Sequence, residues 1–288
     1  MKIETTSQQL LFNTVPIEIH DKDGNPIGTG TSFAIKHTFD DYGDELFLVS
    51  NKHVIEGGFT GYLYFTEIKD GKPNIGKPFF IKHDPFFEIS WHGHPDPDVD
   101  VAVMPISFML EMVSKGGTFA FLNNVSTEII PDDDYISNLD ALEDVLFIGY
   151  PNGMFDKTNY TPILRVGTTA TPLQLDWESK PVFLIDASVF PGSSGSPVFY
   201  LEPSTEGRRN AIPKLLGIVA AVFYRSSTGQ VELVPAPTSV VPIAKYQEMI
   251  DLGVVFKGNL ILETLDSFWK EHGDKMKDAR KGGAKPEA

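Results

Sequence analysis

Turn chemistry punctuates this chain at short intervals, and that spacing limits what it can fold into. Between the strand-like runs Thr14–Asp21 and Ile27–Lys36 stands Lys22-Asp23-Gly24-Asn25-Pro26. Asp-Gly supplies a tight hairpin turn, and proline, which has no N–H, interrupts a strand ladder. Further strand-like runs lie at Glu45–Val54, Gly61–Glu67, Lys77–His83 and Val99–Ile106. A second set occupies Asp144–Tyr150, Thr161–Ala170, Pro181–Ala187, Gly195–Leu201, Lys214–Phe223 and Val231–Val241. With 25 glycines, 21 prolines and 41% hydrophobic residues in 288, the pattern predicts an all-β chain able to bury a substantial core.

The two sets of strands divide the sequence into residues 1–106 and 144–242, with 107–143 crossing between them. That crossing holds a helix-like stretch, Phe108-Met109-Leu110-Glu111-Met112-Val113, and an acidic loop at Pro131-Asp132-Asp133-Asp134. Residues 243–280 read as C-terminal helices, Ile243–Leu252 and Leu260–Ala279, and 281–288 as a disordered end. The second helix carries Leu260, Ile261, Leu262, Leu265, Phe268 and Trp269 on or near one face, which predicts packing across the strands. A docking helix for a partner is the minor alternative.

Chemistry concentrates in three places. Gly192-Ser193-Ser194-Gly195-Ser196-Pro197 presents a serine hydroxyl beside backbone N–H groups, where glycine keeps side chains out of the way. Upstream, His53 lies in Val49-Ser50-Asn51-Lys52-His53-Val54-Ile55 and Asp100 in Asp98-Val99-Asp100-Val101-Ala102-Val103. A hydroxyl is a weak nucleophile until an imidazole takes its proton, and the imidazole needs a carboxylate to fix its tautomer and steady the cation. His53, Asp100 and Ser194 are the candidate catalytic residues, and the N–H groups of Gly192 and Ser194 the candidate oxyanion hole. The combination reads as a serine endopeptidase working through an acyl-enzyme, with no cofactor and no metal.

At these residues the chain resembles the chymotrypsin-fold serine peptidases, specifically bacterial trypsin-like peptidase domains related to the HtrA type. The resemblance runs from about Thr14 to about Tyr246. It extends to Gly28-Thr29-Gly30-Thr31-Ser32-Phe33, Phe147-Ile148-Gly149-Tyr150-Pro151, Arg165-Val166-Gly167-Thr168-Thr169, Asp186-Ala187-Ser188 and Leu216-Gly217-Ile218-Val219. It implies two six-stranded antiparallel β-barrels, one carrying His53 and Asp100 and the other Ser194, with the site in the cleft between them. It also implies a substrate pocket formed by Ser188, Ala220, Ala221 and Val222. With Ser188 at the pocket floor and Val222 on its wall, the expectation is a shallow apolar pocket preferring small aliphatic P1 residues.

Departures matter too. Ser193 stands where the pancreatic branch carries an aspartate that pairs with a freshly cut N-terminus, and no early Ile-Val-Gly-Gly is present, so activation by propeptide cleavage is not expected. No segment resembling a PDZ domain follows. Ser196 replaces a more frequent glycine, and Ser193 is expected to project away from the cleft.

Rival readings fare less well. Trp91-His92-Gly93-His94-Pro95-Asp96-Pro97-Asp98 is similar to the His-x-His-x-Asp-His run of binuclear metal hydrolases, but Pro97 occupies the last histidine's place; an exposed loop is expected. An α/β-hydrolase requires its histidine after the serine, and only His272, in a charged helix, follows Ser194. Cysteine is absent, which removes disulfides and thiol chemistry. A formal charge of −15 disfavours nucleic acid. No run of about 18 apolar residues suggests a membrane span, and Met1–Gln9 lacks an export signal, so the expected setting is cytoplasmic and bacterial. Expected partners are a protein or peptide substrate and a possible regulatory protein. The alternative function is a latent scaffold or effector domain of the same fold, whose serine loop a partner must order.

Overall fold

The structure is a computed structural model and describes residues 2–204, 207–230 and 243–283. After a single helical turn, α1 (Thr6–Leu10), closed by a Thr5/Gln8 capping box, come β1 (Thr14–His20), β2 (Pro26–Phe39) and β3 (Gly43–Ser50). A one-turn helix, α2 (Lys52–Ile55), leads to β4 (Thr60–Lys69), β5 (Lys72–His83), β6 (His92–Gly93) and β7 (Ala102–Pro105). The crossing contributes α3 (Ser107–Lys115), β8 (Ala120–Phe121), β9 (Val125–Ser126) and α4 (Asp133–Ser137). The second half holds β10 (Asp144–Gly149), β11 (Ile163–Thr169), β12 (Val182–Asp186), β13 (Pro197–Ser204), β14 (Gly207–Gln230) and β15 (Ile243–Lys257), followed by α5 (Asn259–Gly283).

The first hairpin forms where the turn residues call for it. The Asp21 carboxylate accepts the N–H groups of Asp23 and Asn25, pinning β1 against β2 from Thr14↔Phe33 onward. In β1, Val15, Ile17 and Ile19 are buried, the period-2 pattern of a strand with one face on a core.

One of the two expected barrels is closed and the other is not. β10-β11-β12-β15-β14-β13 form a closed six-stranded barrel, whereas the N-terminal sheet runs β5-β4-β1-β2-β3-β7-β6 and, among the described residues, β5 and β6 do not pair to close it. Its last strand is two residues long, and the chain on either side carries Pro85, Pro95 and Pro97, which cannot donate to a ladder.

A second correction concerns 243–257. Ile243–Leu252, expected to be helical and to lie beyond the barrel, is strand, and Ile243–Lys257 closes that barrel by pairing with both β12 and β14. Gly253-Val254-Val255-Phe256 sits between two strands whose N–H and C=O groups would otherwise be open, so pairing overrides local helical preference. The strand expected at Val231–Val241 lies outside the described residues, as does Ala284–Ala288 of the expected disordered end; its first residues, Lys281–Gly283, close α5.

Three apolar clusters hold these layers. One fills the N-terminal sheet with Val15, Ile17, Leu48, Leu63 and Phe87; another fills the barrel with Phe147, Phe183, Ile185 and Val219. A third joins the halves, bringing Phe33, Ile35 and Phe47 together with Ile148, Phe199 and Ile218. Helix α5 caps that shared cluster through Leu260, Ile261, Leu265 and Phe268, while Trp269 stacks on Phe39 at 4.0 Å between centroids. The apolar face of α5 is therefore spent within the chain. Its charged end is fastened by Lys277 to Asp41 and by Arg280, whose Nη1 donates to the Tyr42 carbonyl at 2.5 Å.

Phe47 is fully buried and meets Phe268 edge-on at 5.1 Å, so its ring couples sheet to helix. Phe47→Ala is expected to lower unfolding free energy by about 3–5 kcal/mol, read from urea denaturation.

Candidate active site

His53 is presented by the shortest possible device. β3 ends at Ser50, Asn51 takes an extended conformation, and α2 turns once, aiming the imidazole of its second residue back at the segment before β7. Asn51 does not cap α2; its Nδ2 donates to the Asp100 carbonyl at 2.6 Å. This fixes the backbone of Asp100 while its carboxylate takes two bonds from His53. Oδ1 accepts the His53 backbone N–H at 3.1 Å and Oδ2 lies 2.5 Å from His53 Nδ1. With the Nδ1 proton donated to Asp100, Nε2 carries a lone pair. Asp98 takes no part: its N–H donates to Asp96 Oδ1.

The serine loop is built from backbone bonds. Ser193 N–H reaches the Phe190 carbonyl (3.0 Å), Gly195 N–H the Val219 carbonyl (2.9 Å) and Ser196 N–H the Ser193 carbonyl (2.9 Å). Gly192 and Gly195 both lie at positive φ, +83° and +87°. At Gly195 a Cβ would stand 1.8 Å from the Thr31 carbonyl oxygen, so no other residue fits without moving the two halves apart. Among the described residues of Gly192–Ser196, the two N–H groups that find no acceptor are those of Gly192 and Ser194, the pair expected to hold an oxyanion.

Thr31 ties this loop to the N-terminal sheet. Its N–H donates to the Ser194 carbonyl (3.0 Å) and its hydroxyl to the Gly192 carbonyl (3.0 Å), while that hydroxyl accepts from Tyr150 N–H (3.1 Å). Ser50 Oγ in turn donates to the Thr31 carbonyl at 2.8 Å. On the other side Arg165, on β11, donates from Nη1 to the Ser188 carbonyl and from Nη2 to Ser193 Oγ, both at 2.8 Å.

These elements enclose a hollow of about 430 Å³ lined by His53, Gly192, Ser194, Ala220, Ala221 and Val222, with Val189 and Phe190 at one side. Ser188 is a correction: it is exposed and does not line the hollow, because its carbonyl is turned toward Arg165. Ser193 is buried and points away from the hollow into the Arg165 fork, as the loop's alternation requires. The Ser194 hydroxyl donates to the Ala220 carbonyl at 3.2 Å, and no hydrogen bond joins it to His53. Ala220 can accept because the β14–β15 register shifts between Val219 and Ala221, leaving it out of the ladder.

The Trp91–Asp98 segment divides. Pro95–Asp98 is exposed as expected, but His92 and His94 are covered by α5, meeting Ser267 Oγ at 3.0 Å and Glu263 Oε2 at 3.4 Å. His92, Glu271 and His272 bring possible metal-binding atoms within 4.8 Å of one another, but none of the three lines the hollow. A smaller apolar recess, about 330 Å³ and lined by Phe12, Ile17, Tyr64, Phe65, Tyr150 and Phe155, also lies apart from the serine.

Thr31, Asn51 and Arg165 were not singled out from sequence. Thr31 and Arg165 sit in runs that carry the family resemblance, but nothing local distinguishes a threonine that bridges two sheets from one that merely alternates in a strand.

No family model matches the chain, and no curated protein matches it. Among solved structures it is similar to the Rv3671c protease from M. tuberculosis in its active form: 15% identity over 92% of this chain and 84% of that one, TM-score 0.47. It is also similar to the thermostable serine protease AL20 from an extremophilic microorganism, at 12% identity over 89% and 96% of the two chains, TM-score 0.45.

Thr31→Val removes a donor and an acceptor from a buried seam while keeping shape. It is expected to cost about 2–4 kcal/mol in denaturant unfolding, and Thr31→Ser about 1 or less.

Proposed function

We propose that this protein is a serine endopeptidase of the chymotrypsin fold. The observation that carries the reading is the His53 Nδ1 to Asp100 Oδ2 contact of 2.5 Å, which leaves Nε2 as a base in the hollow that Ser194 also lines. In the mechanism, the Ser194 hydroxyl turns about Cα–Cβ from the Ala220 carbonyl to His53 Nε2, gives up its proton there, and attacks a peptide carbonyl. The Gly192 and Ser194 N–H groups, which have no acceptor of their own, take the negative charge that develops. The imidazolium, steadied by Asp100, protonates the leaving amine. Water then hydrolyses the acyl-enzyme by the same route.

Substrate lies alongside Ala220-Ala221-Val222 as an added strand. Val189, Ala220 and Val222 line the hollow with small apolar surface, which supports a small aliphatic P1 residue. Ser188 contributes nothing to that choice.

One observation favours a second reading, latency. The nucleophile's hydrogen is held by Ala220 and not by the base. In that case a partner, or the substrate itself, supplies an N–H to the Ala220 carbonyl and releases the hydroxyl.

A fluorophosphonate probe is expected to label the isolated chain, with labelling abolished in Ser194→Ala and reduced by at least about 10³-fold in His53→Ala. Labelling that survives Ser194→Ala removes the proposal, and labelling that needs an added protein selects latency. Cleavage profiling on a peptide library should show Val or Ala at P1; dominant Arg or large aromatic residues would refute the pocket.

A further inference from the structure

We propose that Arg165 is a positioning residue, a cationic brace that holds the serine loop in the shape needed to present the Gly192 and Ser194 N–H groups. The inference rests on the serine-peptidase reading and adds to it the part that keeps the loop in order.

Arg165 is paired with Phe147 across β10 and β11, and its guanidinium lies over that ring at 4.4 Å from the centroid. The ring fixes the plane of the guanidinium from below. Above, its two terminal nitrogens reach acceptors five residues apart: the Ser188 carbonyl, where the loop leaves β12, and Ser193 Oγ, next to the nucleophile. Ser193 Oγ also accepts the Phe190 N–H at 3.3 Å, so one hydroxyl gathers the guanidinium and the middle of the loop. The planar fork spans both ends of the turn at once, which a single ammonium cannot do.

The cost of this arrangement shows that it is not ordinary surface charge. Burial lowers the guanidinium pKa to about 10, which leaves it charged at neutral pH, and among the described residues no carboxylate pairs with it. Its Nε is buried with no partner. A desolvated cation satisfied only by neutral oxygens is expensive, and here both oxygens belong to one loop. The loop's other ties are its own backbone bonds, the Gly195 N–H to the Val219 carbonyl, and the bonds from Thr31 to Gly192 and Ser194. Removing Arg165 would take the guanidinium from the Ser193 hydroxyl, and Ser193 lies between Gly192 and Ser194, the two residues whose N–H groups are the oxyanion donors.

The test uses the full chain with Arg165→Ala and Arg165→Lys, each checked for folding by circular dichroism and thermal melting. In Arg165→Ala the rate of fluorophosphonate labelling at Ser194 is expected to fall about 10²-fold, the scale of a lost oxyanion donor. Turnover of a peptide substrate falls in kcat with KM nearly unchanged, and added guanidinium ion restores part of it. Arg165→Lys recovers less than half of the labelling rate. Hydrogen exchange is the second readout: the amides of Ser193, Gly195 and Ser196 exchange at least about ten times faster in Arg165→Ala. If the wild-type chain is not labelled with or without an added protein, the peptidase reading fails while exchange still decides the brace. Unchanged loop exchange in a folded variant overturns it, as does unchanged labelling. Should Arg165→Ala not fold, Arg165→Lys carries both measurements.

Discussion

The site depends on a seam of hydrogen bonds between two halves that, among the described residues, share no strand pairing. Thr31 sits at its centre, completely buried, and gives its N–H and its hydroxyl to the carbonyls of Ser194 and Gly192. In a dry interior, a carbonyl left without a donor costs about 1–3 kcal/mol, so two such groups in one loop tie its conformation firmly to the N-terminal sheet. Gly195 makes the approach possible, because its missing side chain is the space the Thr31 carbonyl occupies. Packing alone would join the halves; these bonds set their register at the level of single atoms.

From that seam the chemistry divides cleanly between the halves. The N-terminal sheet supplies the imidazole and carboxylate on adjacent chain reversals, with Asn51 holding the backbone of Asp100 so that its carboxylate can take both His53 bonds. The closed barrel supplies the hydroxyl and two free N–H groups. Neither half has a complete set. The shared cluster of Phe33, Ile35, Ile148, Phe199 and Ile218 therefore matters to chemistry as much as to stability, since it sets the distance at which the two sets face one another. Helix α5 closes over the same cluster and covers His92 and His94, which removes them from any role in the hollow.

Charge plays a smaller part than the formal −15 suggests. Arg165, bonded to the residue next to Ser194, is held by a π-face and two neutral oxygens, and His53 Nδ1 lies 2.5 Å from one carboxylate oxygen of Asp100. The polar contacts at the hollow are short and pairwise, and the imidazole contact runs to a single carboxylate.

The amino-acid sequence by itself determined much of this. The first hairpin followed from Asp21 to Pro26, the burial of Leu260, Leu265 and Phe268 from helical spacing, and the candidate chemistry from the types and order of His53, Asp100 and Ser194. Each is written in local residues, because turn formers, apolar period and functional groups act within a few positions of themselves. Tertiary structure decided the rest. It made Ile243–Lys257 a strand, since the barrel offered it two open ladders; it left the N-terminal sheet open, since a two-residue strand bounded by prolines cannot close it; and it turned Ser188 out of the hollow toward Arg165. It also chose Ala220 as the resting partner of Ser194 and Thr31 as the tie between the halves. Those outcomes depend on groups more than 20 residues apart competing for the same donors and acceptors, and no local pattern records who wins.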